Sequence, residues 1–114
     1  MRDGTAFHRL EHEDSIRLLR LNRYDPAEGQ LSGQLDIVRL SDKPSFRALS
    51  YVWGPPSFTK SIALRDGYTH GITESLFAFL TILCATEAIT VWADQICIDQ
   101  NDPVEKGHQV ALML

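Results

Sequence analysis

An α/β fold is predicted by three stretches of the sequence. The run that opens at Ile89 is almost continuously apolar, with β-branched and aromatic residues up to Asp94, the mark of a strand covered on both faces. Phe46–Trp53 (Phe-Arg-Ala-Leu-Ser-Tyr-Val-Trp) is a second strong strand, stopped by Gly54-Pro55-Pro56, which cannot continue a central ladder. Between them Ile72, Leu76, Phe79, Leu80 and Leu83 recur at helical spacing. Strand, helix and strand make a βαβ unit. If its strands lie parallel and adjacent, Trp53-Gly54 and Asp94-Gln95 open on the same edge of the sheet.

The remaining elements follow from local chemistry. Residues 1–15 are polar, without pattern, and are expected to form a flexible leader. Ile16–Leu21 mixes apolar residues with arginine and predicts a short strand; Gln34–Leu40 predicts another, at a sheet edge. Asn22–Gly29 and Ser41–Ser45 are loops, carrying Asp-Pro, Gly and Pro breakers. Ser61–Leu64 and Thr69–Ile72 flank Asp66-Gly67, a favoured turn, and predict a hairpin inserted in the crossover. Thr73 is placed to cap a helix over 73–85, and Phe77 and Ile82 widen its apolar stripe enough to suggest packing on more than one side. After the Ile89 strand, Asp102 is an N-cap, Pro103 the first helical residue and Glu105, three residues after the cap, its partner in a capping box. That helix reaches Leu114 with Val110–Leu114 apolar and no glycine cap, so the expectation is a domain cut in mid-element, with residues 16–114 as its N-terminal part.

Composition narrows the function classes. A chain of 114 residues holds one small domain, and a 44% hydrophobic, 23% charged content is that of a globular protein. A net charge of −4 argues against a nucleic-acid partner, which selects a basic face. Arg9, Arg17, Arg20 and Arg23 are interleaved with Glu11, Glu13, Asp14 and Asp25 and are expected on a solvated mixed surface. No apolar stretch approaches a membrane span and no signal peptide is visible, so a cytoplasmic protein without membrane partners is expected. Cys84 and Cys97 lack a CxxC spacing and predict buried, reduced thiols.

The polar groups at the end of the Ile89 strand, Asp94, Gln95, Asp99 and Gln100, lie where open α/β sheets place their sites. A carboxylate at Asp94 suits a general base or a ribose-hydroxyl acceptor, but the simpler role is to cap the following turn. Glu105 is explained by its capping box, and Asp99 and Gln100 by loop ordering. Tyr51 and Trp53 alternate onto one face and offer a stacking surface beside Gly54; Trp92 suits the core. Cys97 as a nucleophile needs a base such as His108 and an orienting third group, which the sequence does not supply. His8 and His12 have helical metal-ligand spacing with no further ligand, so no metal site is expected. No glycine-rich phosphate loop is present, and no catalytic residue can be assigned.

The wording of three blocks resembles the fungal heterokaryon incompatibility (HET) domain. Ala48-Leu49-Ser50-Tyr51-Val52-Trp53-Gly54 is similar to its first signature, Ile72-Thr73-Glu74-Ser75-Leu76 to the link before its helix, and Val91–Gln100 to its second signature; Glu105, Gln109 and Met113 match the pattern that follows. The resemblance implies a role in nonself recognition leading to programmed cell death, protein partners and self-association. It also implies a TIR-like, flavodoxin-like, mostly parallel sheet. NAD or a nucleotide enters only by analogy with TIR domains, whose glutamate would fall beyond Leu114. The candidate functional edge is therefore Tyr51, Trp53, Gly54, Asp94, Gln95, Asp99, Gln100 and Glu105.

Overall fold

The computed structural model of the chain describes residues 9–51 and 53–113, apart from the side chain of Asp66. His8, the first half of the expected leader, Val52 and Leu114 lie outside the described residues. Among the described residues six strands form one mixed sheet in the order β3-β6-β1-β2-β4-β5. The strands are β1 (Ser15–Leu21), β2 (Leu31–Arg39), β3 (Arg47–Ala48), β4 (Lys60–Ala63), β5 (Thr69–Ile72) and β6 (Ile89–Trp92). They are accompanied by the helices α1 (Glu74–Leu83), α2 (Asp94–Cys97) and α3 (Pro103–Met113).

β1, expected as a minor strand, is the centre of the sheet. It pairs antiparallel with β2 along its whole length and with β6 through Leu19–Leu21. Flanked on both edges, it buries every residue except Arg20, and Ser15, assigned to the leader by its polarity, opens it as a buried residue. The close β1–β2 approach requires Gly33, where a Cβ would come within 2.4 Å of the Arg20 carbonyl oxygen. Ile16, Leu19 and Leu21 join Leu31, Ile62, Leu76, Leu80 and Ile96 in the core.

The sheet corrects the expectation of mostly parallel strands. β3–β6 and β2–β4 are parallel, whereas β1–β2, β1–β6 and β4–β5 are antiparallel. The predicted hairpin forms, with Lys60 opposite Ile72, and it extends the sheet through β2 at Leu31 and Ser32. The Phe46–Trp53 strand shrinks to Arg47 and Ala48, both exposed at the edge. One further bond, Leu49 N–H to the Trp92 carbonyl at 2.8 Å, follows before the chain leaves the ladder. Its aromatic residues then face side chains beyond the sheet, so their alternation served a loop and not a covered strand.

α1 starts where Thr73 predicts: its Oγ1 accepts the Leu76 N–H at 3.3 Å, and Leu76 and Leu80 face the core. Its second side is not packed throughout, since Ile82 is 74% exposed, although Phe77 meets the Tyr24 ring edge-on at 6.2 Å. α2 was hidden in the apolar run; Ile96, Cys97 and Gln95 are buried on it, and only β6 is strand. α3 is capped by Asp102, whose Oδ1 accepts the Val104 and Glu105 N–H groups, both at 3.1 Å.

Candidate functional site

β3 runs parallel to β6 and beside it, so both chains leave the sheet at one end. There Asp94, the first residue of α2, meets the segment that continues β3. Its Oδ1 accepts the Tyr51 hydroxyl at 2.8 Å and the Trp53 indole N–H at 3.1 Å, and Oδ2 lies 3.2 Å from the same indole nitrogen. The Tyr51 ring packs edge-on against Phe79 of α1 at 6.1 Å, and Trp53 against Phe58 at 6.4 Å. Burial, then the Asp94 carboxylate, holds the Tyr51 hydroxyl protonated far above the usual phenol range, so it remains a donor.

Asp94 does not cap α2 with its side chain, as the simpler sequence reading had it. Ala93 is the N-cap residue, without a side-chain bond, and the Asp94 carboxylate is directed to two aromatic donors. Gly54 completes the corner at φ +72°, a left-handed conformation that favours glycine, with Ser75 Oγ 2.8 Å from where a Cβ would stand. A cleft of about 230 Å³ lies beyond Trp53, between Pro55 and Ser57 on one side and Thr73 and Ser75 on the other.

Gln95 supports the corner from the core. Its Oε1 accepts the Thr73 N–H at 3.2 Å and its Nε2 donates to Thr73 Oγ1 at 3.0 Å, tying α2 to the cap of α1. Its carbonyl oxygen is 3.1 Å from His70 Nε2 on β5, and burial lowers the His70 pKa below its ordinary value. Gln100 Nε2 donates to the Asp94 carbonyl at 2.7 Å, and Asp99 Oδ1 accepts the Asn101 N–H at 3.0 Å; both order the loop after α2.

Glu105 belongs to a second cluster. Its oxygens receive Arg17 in a two-pronged pair, NH1–Oε2 at 2.7 Å and NH2–Oε1 at 2.8 Å, and Oε2 also accepts the Asp99 N–H at 2.6 Å. The capping box is therefore only half formed, because the Asp102 N–H that it would bind is taken by the Asp99 carbonyl. Arg17 corrects the solvated-surface expectation: it is 2% exposed and also donates to the Cys97 carbonyl at 3.2 Å. Sequence reasoning missed it; the available signal was an arginine between Ile16 and Leu18 in an apolar strand. Arg20, in contrast, is exposed and pairs with Asp36 at 2.6 Å.

The remaining candidates sort by burial. Cys97 is fully buried, which pushes its thiol up to about 12, and the His108 ring nitrogen is engaged by the Glu13 carbonyl, so the pair does not make a nucleophile. Cys84 and Cys97 are both free and buried. Trp92 lies in the core. Among the described residues no group of His, Cys, Asp or Glu is arranged to hold a metal ion, and no helix is long and apolar enough to cross a membrane.

Residues 46–114, which carry the aromatic corner and the Glu105 half of the second cluster, match the family described as "Heterokaryon incompatibility protein (HET)" over more than half of the chain. The chain belongs to this family. A curated relative from Neurospora crassa, "Heterokaryon incompatibility protein 6, OR allele", is 35% identical over 111 residues, covering 86% of this chain and 16% of the relative. The chain thus spans about a sixth of that relative's length. No solved structure matches it. The HET match begins just before β3, so the central strand β1 and the Arg17 that it carries lie outside the matched residues.

Proposed function

We propose that this HET chain acts as a signalling and interaction module in fungal nonself recognition leading to programmed cell death, working through protein partners and self-association. Family membership supports the biological role. The state of Asp94 supports the molecular one: its carboxylate is occupied by Tyr51 and Trp53 and holds an aromatic corner in place. Such a corner presents Trp53 and Phe58, the latter 50% exposed, as a preformed contact surface. The adjoining cleft, about 230 Å³, is below the range of about 300–1,000 Å³ typical of small-molecule sites.

A second reading, a TIR-like NAD-hydrolysing or nucleotide-binding domain, is favoured by one observation: a carboxylate at the end of parallel-paired β6, next to a cleft at the start of α1. The three antiparallel pairings weigh against a TIR-like sheet. Two assays separate the readings. Expression of the chain in hyphae should trigger death that Trp53→Ala abolishes, while incubation with NAD should release no nicotinamide. Asp94-dependent nicotinamide release would replace the interaction reading with the enzymatic one.

A further inference from the structure

β2 has an open edge. β4 covers it only at Leu31 and Ser32, and among the described residues no strand lies beside it beyond Ser32. The turn after β4 ends this cover, with Arg65 donating to the Gln34 side chain at 3.2 Å. Past Arg39 the chain turns away through a tight turn at Leu40–Asp42. Leu35–Arg39 is thus a bare stretch between two turns, about 17 Å long. An open cleft of about 600 Å³ runs beside Ile37, Val38 and Arg39.

The direction of the unpaired groups is fixed by the neighbouring bonds. Leu40 N–H reaches the Asp14 carbonyl and the Ser32 carbonyl accepts the Asn22 N–H, so even-numbered backbone groups of β2 face β1. Backbone direction alternates along a strand, so Leu35, Ile37 and Arg39 aim theirs outward. Among the described residues the edge protections are few: Leu35–Arg39 has charges at Asp36 and Arg39 but no proline, no lysine and no bulge, and Ile37 is 41% exposed.

We infer that this edge pairs antiparallel with the same edge of a second copy of the chain, about a two-fold axis at Ile37. Charge selects the register. An axis at Asp36 would set two Asp36 carboxylates directly opposite, a destabilising pairing. An axis at Val38 would push Leu35 against the tight turn and lose it from the ladder. With the axis at Ile37, Leu35 of one copy faces Arg39 of the other at both ends, and all three outward residues exchange N–H···O bonds. The two Ile37 side chains meet at the centre as an apolar pair. In this register Asp36 faces Val38 of the other copy, so its carboxylate meets no like charge, and Arg39 keeps its bond to Asp14 at 2.9 Å. This deepens the interaction-module reading by naming a second copy as the partner and Leu35–Arg39 as its contact.

Sedimentation of the full chain across a concentration series should show a monomer–dimer equilibrium. Ile37→Lys, which sets two like charges on the axis, should raise the dimer Kd by about tenfold or more. Ile37→Pro, which removes an outward N–H unused within the monomer, should do the same, and circular dichroism should show both variants folded. Mild oxidation should link Ile37→Cys chains more readily than Asp36→Cys or Val38→Cys chains. A monomer at every concentration overturns the inference, whether the Ile37 amide exchanges freely or is protected by another part of the chain. A dimer insensitive to Ile37→Lys and Ile37→Pro also overturns it. Either failure leaves the hyphal death assay on Trp53→Ala to decide the broader reading separately.

Discussion

The Trp53 indole N–H and the Asp94 carboxylate meet at 3.1 Å although 41 residues separate them. This contact exists because β3, two residues long, lies parallel against β6 and hands its chain on at the same end of the sheet. The Tyr51 hydroxyl shares the acceptor, so one carboxylate fixes two aromatic side chains. Asp94→Ala removes the acceptor from both and should destabilise the chain by about 2–3 kcal/mol in urea unfolding. Asp94→Asn keeps an acceptor oxygen and should cost about 1 kcal/mol.

Arg17 and Glu105 should behave as a unit. Removal of one member strands the other in a nearly dry site, with side chains 2% and 12% exposed. Glu105→Leu should therefore cost about 3–5 kcal/mol, and Arg17→Met a similar amount. The double variant Arg17→Met/Glu105→Leu should recover much of that loss. Denaturant midpoints of the three variants measure the coupling directly.

The two clusters show what was legible in the sequence and what was not. Thr73, Asp102-Pro103 and Asp66-Gly67 announce their helix starts and hairpin because capping and turn chemistry act within a few residues. Tyr51 and Trp53 misled because aromatic alternation looks the same in a covered strand and in side chains bound to a carboxylate outside the sheet. α2 was invisible because one turn of helix inside an apolar run has no period of its own. The burial of Arg17 depends on a partner 88 residues away, and no local pattern encodes that. Candidate residues Tyr51, Trp53 and Asp94 converge, while Asp99 and Glu105 join Arg17 instead.

Both thiols should resist alkylation in the folded chain. Cys97 is fully buried and its pKa is pushed up to about 12; burial raises that of Cys84 as well. Iodoacetamide at pH 8 should leave both unmodified by mass spectrometry, while unfolding in urea should expose both to reaction.

Stability should fall on acidification from pH 7 to 5. Burial depresses the His70 pKa in the folded chain from its ordinary 6.5, so the unfolded chain binds the proton first. The stabilisation is complete above 6.5 and is lost as pH falls toward the folded value. His70→Gln should flatten this dependence of the urea midpoint. The Asp14 carboxyl, held far below its usual range by its bonds to Arg39 and Ser41, adds a loss only at much lower pH.

The parallel contact of β3 with β6, and the corner it creates, are tested most directly by the Trp53 indole proton in an NMR spectrum. With that resonance assigned through Trp92→Phe, Asp94→Ala should shift it and speed its exchange with water by about tenfold or more. An indole signal unmoved in shift and in exchange would contradict the account.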